Sequence, residues 1–331
     1  MKNKILGNIA LLITALLWGL SFVAQREGME HIGPFTFNAV RSILGGFSLL
    51  PVIAWIKFSQ PDNRTQRLKR YQHINLARAG IGCGLALFTA MSIQQYCMQY
   101  VTAGKSGFIT ALYIIFVPII SILLGEKLRK KIILSIALAV IGLYLLCYKV
   151  GNGFNIYDFL LLVGAFFYGI HIMVVNYYSE KINPAKACCL QFFVVGILSA
   201  LLMWAFENPT LSAIISAKSS LLFAGVLTCG VAYTFQIFGQ KYTLPIIASL
   251  ILCLESVFAV IGGTLILHET MGILPQIEEI ISLGIPVIED ISHSFGAVLP
   301  EKTENSETEE NSEKKAGKKL ERKAGSFGIF S

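Results

Sequence analysis

Residues 5–25 read ILGNIALLITALLWGLSFVAQ, twenty-one positions without a charged side chain. As a helix rising 1.5 Å per residue, this run reaches about 30 Å, the thickness of a bilayer's hydrocarbon core. It is too long, and too apolar on all sides, for a barrel strand of ~10 alternating residues. Lys2 and Lys4 precede it as in a secretory signal. No small-residue cleavage site follows, and more such runs do, so a retained first helix is expected. Uncharged runs recur at 79–104, 106–125, 132–148, 159–179, 187–206 and 219–240. Two more, 32–56 and 242–268, carry one charge each, Arg41 and Glu255. The expected fold class is an all-α membrane protein with nine transmembrane helices.

The whole chain agrees. Of 331 residues, 54% are apolar and 14% charged, against about 25% charged in a soluble domain. Charge is unevenly placed: 20 basic and 9 acidic residues in 1–271, then 7 basic and 11 acidic in 272–331. With the N-terminus inside, inner segments carry 14 basic residues and outer loops 4. This bias predicts a cytoplasmic N-terminus in a multi-pass protein of the cell (plasma) membrane. The basic 57–73 segment reads as a loop that fixes topology beside anionic lipid, so the expected partners are the bilayer and a small metabolite, with no nucleic acid. The oligomeric state is not legible. All seven cysteines fall within spans without C-x-x-C spacing, so no metal, redox chemistry or cofactor is expected.

The chain also resembles itself. Trp18-Gly19 matches Tyr168-Gly169 and Pro34 matches Pro184 at an offset of 150. Gln94 matches Gln236 and Tyr100 matches Tyr242 at 142, and Gly125-Glu126 matches His268-Glu269 at 143. A five-span unit is odd in number, so the second copy enters the membrane inverted, an architecture of secondary transporters with a midplane site between halves. The expected domains are 1–149 (first repeat, five spans), 150–271 (second, truncated, four spans) and 272–331 (a soluble fragment).

Several stretches resemble the drug/metabolite transporter superfamily, EamA type. They are 15–22 with Trp18-Gly19, Pro34 to Arg41, Val117-Pro118 through Glu126-Lys127-Leu128, and Leu254-Glu255-Ser256 through His268-Glu269. The resemblance covers about residues 5–270. It implies ten helices around a central cavity and transport of small organic metabolites, as exporter or permease, without covalent chemistry.

Candidate site residues follow from polar groups at depth. Glu255 lies about ten residues from either end of its run, where an ionisable group costs ~2.5–3.5 kcal/mol on insertion scales. It reads as a coupling group, a partner for a substrate cation, or a structural hydrogen-bond donor. Arg41, about as deep, reads as a carboxylate ligand, a Glu255 partner or a structural contact. His171 reads as a proton relay or a hydrogen-bonded core histidine. Gln94, Gln95 and Gln99 sit on the third span, where Gln95 and Gln99 share a helical face, as do Ser106, Thr110 and Tyr113 on the fourth, and Gln236 with Gln240 on the eighth. Such sets line a polar cavity or join helices, and Trp18 and Tyr96 are candidates to close it. Glu126 and Glu269 read as structural or gating elements near opposite surfaces.

The tail departs from this pattern. Instead of a tenth span, 272–331 reads as short, incomplete α/β: a helix over 275–283, a strand over 285–288, and a charged, disordered linker at 301–323. Gly284 to Asp290, Ser292-His293-Ser294-Phe295-Gly296-Ala297 and Gly325 to Gly328 resemble DegT-type pyridoxal-phosphate sugar aminotransferases. In that family the counterpart of Asp290 pairs with the cofactor's pyridine nitrogen, and that of His293 lies near its ring. The Schiff-base lysine position falls beyond Ser331, so these residues read as a remnant without activity. The expected account is a chimera fused near 268–275. The alternatives to a transporter are a membrane-tethered aminotransferase remnant or a non-functional chimeric membrane protein.

Overall fold

The computed structural model describes residues 2–59, 66–125, 133–134, 136–141 and 155–269. Every regular element among them is helical. Helices α1 (Lys2–Gly28), α2 (Pro34–Ser59) and α3 (Gln66–Cys97) come first. The next span is broken into α4 (Ala103–Ala111) and α5 (Tyr113–Leu123). Then follow α6 (Ile156–Tyr178), α7 (Pro184–Phe206) and the short α8 (Leu211–Ser216). One span joins α9 (Lys218–Leu222), a π-helical stretch Phe223–Ala232 and α10 (Tyr233–Gln240). The last is again broken, into α11 (Pro245–Leu252) and α12 (Glu255–Ile266).

Among the described residues, eight helical stretches are long and apolar enough to cross a membrane. They answer to eight of the nine expected spans. Of the expected 132–148 span, the described residues 133, 134 and 136–141 are helical. Glu126, the expected α/β tail, Asp290 and His293 lie outside the described residues. One expectation needs correction: the basic loop over 57–73 is shorter, because 57–59 belong to α2 and 66–73 to α3. Long basic side chains are good helix formers and keep their charged ends in water while the stem lies along the helix.

Local chemistry sets the helix ends. Asn155 and Asp158 form a reciprocal capping box at α6, Asn183 caps α7 ahead of Pro184, and Thr102 accepts from the Lys105 N–H at α4. Proline at a first helical position loses no hydrogen bond, which suits Pro34, Pro184 and Pro245 to their places. Outward faces carry Phe58 at 84% and Trp204 at 83% exposure, suited to hydrocarbon.

The first and second parts of the chain interleave. α2 packs along α7, α3 against α6 and α7, and α1 against α12, α10 and the π-helical stretch. Gly19 of α1 meets Phe258 of α12, while Gly169 of α6 meets Phe116 of α5. Phe116 and Phe258 are 142 positions apart, as are the helix breaks at Leu112 and Leu254. α2 approaches the π-helical stretch closely, where Gly45 lies against Cys229 and Gly225 against Leu44. The wide helix has side-chain partners for its carbonyls: Cys188 Sγ donates to Cys229 O at 3.2 Å and Thr14 Oγ1 to Ala232 O at 3.0 Å.

Two helix ends close alike. Gly125 and His268 both have positive φ, 91° and 55°. At His268 the left-handed turn lets the Glu269 N–H reach back to Gly263 O at 3.0 Å, a closure that satisfies a terminal carbonyl.

Candidate functional site

The interleaved helices line a cavity of about 30 Å³, room for roughly two waters. Tyr113 and Glu255 both line it, and each is the first residue after its helix break. Each break is a tight turn whose backbone stays hydrogen-bonded, Ile115 N–H to Leu112 O at 2.9 Å and Ser256 N–H to Cys253 O at 3.2 Å, and such local tightening within a helix often marks a functional hinge. α2 brings Arg41, α3 Gln94, α4 Thr110 and α6 Tyr168. Thr228 and Cys229 enter from the π-helical stretch, Tyr233 from α10, and Trp18 with Gln25 from α1.

A fixed polar wall runs along one side. Tyr168 Oη donates to Gln94 Oε1 at 3.0 Å, and Gln94 Nε2 donates to Thr110 Oγ1 at 2.9 Å. Both Gln94 groups are thus in use, and the tyrosine is held across the two parts of the chain. Trp18 and Tyr233 pack at 4.6 Å between ring centroids and supply an apolar floor.

The two charges lie in this same cavity. Arg41 is 2% exposed and Glu255 3%. The Arg41 guanidinium sits 5.4 Å from the Phe37 ring centroid. Arg41 and Glu255 form no ion pair with one another; Lys105–Asp158, at 2.8 Å, is the ion pair among the described residues. Arg41 Nε lacks a hydrogen-bond partner, and the Glu255 carboxyl lies beside the Tyr113 hydroxyl. A buried guanidinium and a buried carboxyl that make no ion pair with one another are costly to leave so. The arrangement is suited to a guest with an anionic group for Arg41 and a cationic group, or a proton, for Glu255.

The sequence candidates fall into two groups. Glu255, Arg41, Thr110 and Tyr113 come together in the cavity. Gln95 and Gln236 are fully buried away from it, their amide atoms without partners. His171 lies behind Tyr233, its Nε2 3.1 Å from Gln191 Oε1. Gln99 is exposed and donates to Tyr96 O, and Tyr96 is itself exposed. Glu269 sits at the end of the last helix, accepting from the Ala103 and Gly104 N–H groups at 2.9 and 3.2 Å. Gln94, one of the three span-three glutamines, lines the cavity, as do Tyr168, Thr228 and Tyr233, which were not proposed for it. The repeat matches Trp18/Tyr168 and Gln94/Gln236 held a signal for two of them.

Known proteins resemble this chain in sequence and in fold. A sequence model described as the EamA-like transporter family matches residues 5–148 and 155–277, slightly past the fusion expected near 268–275. An uncharacterized transporter of Archaeoglobus fulgidus is 29% identical over 270 residues, 81% of this chain and 80% of its own. Uncharacterized transporter YoaV of Bacillus subtilis is 25% identical over 271 residues, 80% of this chain and 90% of its own. A solved crystal structure superposes with a TM-score of 0.58 at 18% identity, covering 80% of this chain and 89% of that one, which shows a shared fold.

Proposed function

Since the chain belongs to the EamA-like transporter family and is a multi-pass membrane protein with lipid-facing helices, we propose that it is a secondary transporter of small zwitterionic metabolites. It works by alternating access, in the cell membrane with the N-terminus in the cytoplasm. Residues 1–149 and 150–271 act as two inverted repeats.

One observation carries the reading. The two broken helices bring Tyr113 and Glu255, 142 positions apart, to the same cavity. Interruptions at corresponding positions of two spans are the kind of feature that points to midplane substrate sites in inverted-repeat carriers. The exchanged contacts Gly19–Phe258 and Gly169–Phe116 support the same symmetry. Its value for transport is that two related conformations have similar energy, so modest ligand preferences shift between them.

Arg41 takes the substrate's anionic group, Glu255 its cationic group or a coupling proton, and the Gln94–Thr110–Tyr168 wall its neutral polar part. The family membership does not favour the reading of a tethered aminotransferase remnant or a broken chimera, and residues 272–331 have no part in the proposed cycle.

Purified protein in sealed proteoliposomes, offered labelled amino acids, a neutral sugar and a monocarboxylate in turn, tests this. Saturable uptake confined to a zwitterion is expected, and Arg41→Gln should abolish it. Equal flux of the neutral sugar, or uptake unaffected by Arg41→Gln, would overturn it.

A further inference from the structure

Among the described residues, polar links between the two parts of the chain differ between the two ends of the bundle. At the end where α1 and α3 finish, three involve charged groups. The Glu207 carboxylate accepts from the Phe35 and Thr36 N–H groups at 2.9 and 2.8 Å, at the start of α2. Glu269 does the same for the start of α4, through Ala103 and Gly104. Lys105, also in the first turn of α4, donates to Asp158 of α6 at 2.8 Å. At the opposite end the described residues show neutral links, Thr243 Oγ1 to Asn8 Oδ1 at 2.8 Å and a weak Ser121 Oγ to Met173 Sδ contact at 3.7 Å.

Two of the three charged links converge on α4. This helix carries Thr110 to the cavity wall and stops at Leu112, immediately before Tyr113. From Ala103 to Thr110 is about 10 Å of helix at 1.5 Å per residue. The cavity of about 30 Å³ is too small for a metabolite, so admitting one requires a lining helix to move. α4 is short, bounded by a break at one end and held by carboxylates of the other half at its far end.

From this we propose that α4 is the gate at the end of the bundle opposite the N-terminus. Glu269 and Asp158 are its latches and Leu112 its hinge. Glu269, Asp158 and Lys105 are positioning residues that touch no substrate. In the cycle the latches release, the first turn of α4 swings from the second half, and the cavity opens to that side. The same swing displaces Thr110 from Gln94, so gate and substrate site change together. The proposal rests on the alternating-access reading, from which its test is separable.

Cys229 lines the cavity and reports access. A membrane-impermeant methanethiosulfonate is added to either face of sealed vesicles, and modification of Cys229 is followed by mass spectrometry. Glu269→Gln is expected to speed modification from the gate face several-fold and to slow it from the opposite face. Cys188, buried off the cavity, stays unmodified in folded protein. Unchanged rates, or a rise from both faces, overturn the gate. Should the variant fail to fold, cysteines replacing Lys105 and Asp158 are joined by a reducible bifunctional thiol reagent. Modification of Cys229 from the gate face should then stop and return with reductant, and indifference to the cross-link overturns the proposal. No substrate is needed, so the gate can fail while zwitterion flux survives, and flux can fail while sided labelling still shifts.

Discussion

At Gly19 the absence of a side chain is what the packing uses. A Cβ there would lie 2.3 Å from Phe258 Cβ and 2.6 Å from Glu255 O, and neither atom can rotate away. Gly19→Val is expected to lower stability by about 1–3 kcal/mol, the usual cost of overpacking, seen as a lower melting temperature in detergent. His268 is the opposite case, a side chain at φ 55° where glycine is at ease. His268→Gly is expected to be neutral or to stabilise by up to about 1 kcal/mol in the same assay. Glu255→Gln keeps the shape of the protonated side chain and removes its titration, so flux is expected to lose its dependence on pH. The two charges could be read from sequence because an ionisable group in mid-span needs a reason to be there. The helical face shared with Gln99 favoured Gln95 over Gln94, and the cavity reverses the two. They are adjacent on one helix, and which of them meets the cavity depends on the rotation of α3 against α4 and α6, a tertiary fact.

Among the elements, α2 depends on a cap from far along the chain. Glu207 accepts two N–H bonds at its start and a third from Thr36 Oγ1 at 2.5 Å. Glu207→Ala leaves these donors without it and is expected to cost about 1–3 kcal/mol, measured by thermal unfolding in detergent. The outlines of the helices were legible, since long uncharged runs leave few alternatives. Their interruptions were not. Leu112 and the pair Cys253–Leu254 sit in apolar sequence without glycine or proline at the break itself. The π-helical stretch Phe223–Ala232 holds Gly225 and Gly230, but two glycines in an apolar run do not by themselves announce a widened coil. What fixes it is the approach of α2, Gly45 against Cys229, with Cys188 and Thr14 bonded to carbonyls in and at the end of the widened coil.

At the scale of the molecule, the two parts of the chain do not pack as separate lobes. α2 lies on α7 and α1 on α12, so each part buries its apolar faces against the other. A fragment ending at residue 149 is therefore expected to be degraded when expressed alone, and to be protected when 150–331 is co-expressed, as immunoblotting of membranes would show. Sequence repetition pointed to two related halves, but not to their mutual embrace. Faces that meet across the molecule leave no periodicity distinct from faces turned to lipid, because both are apolar.

Arg41 and Glu255 share one cavity without touching, and they are the charged residues lining it. With the carboxylate ionised, the site is neutral as a whole, and a zwitterion leaves it so. Such a carrier swings through the membrane's electric field without moving net charge, and an imposed voltage neither drives nor brakes it. Once Glu255 takes a proton, the charge of Arg41 stands alone. One elementary charge across the field is worth about 2.3 kcal/mol per 100 mV. Liposomes clamped with potassium and valinomycin should therefore reveal a carrier that ignores voltage when Glu255 is ionised and feels it once the proton binds.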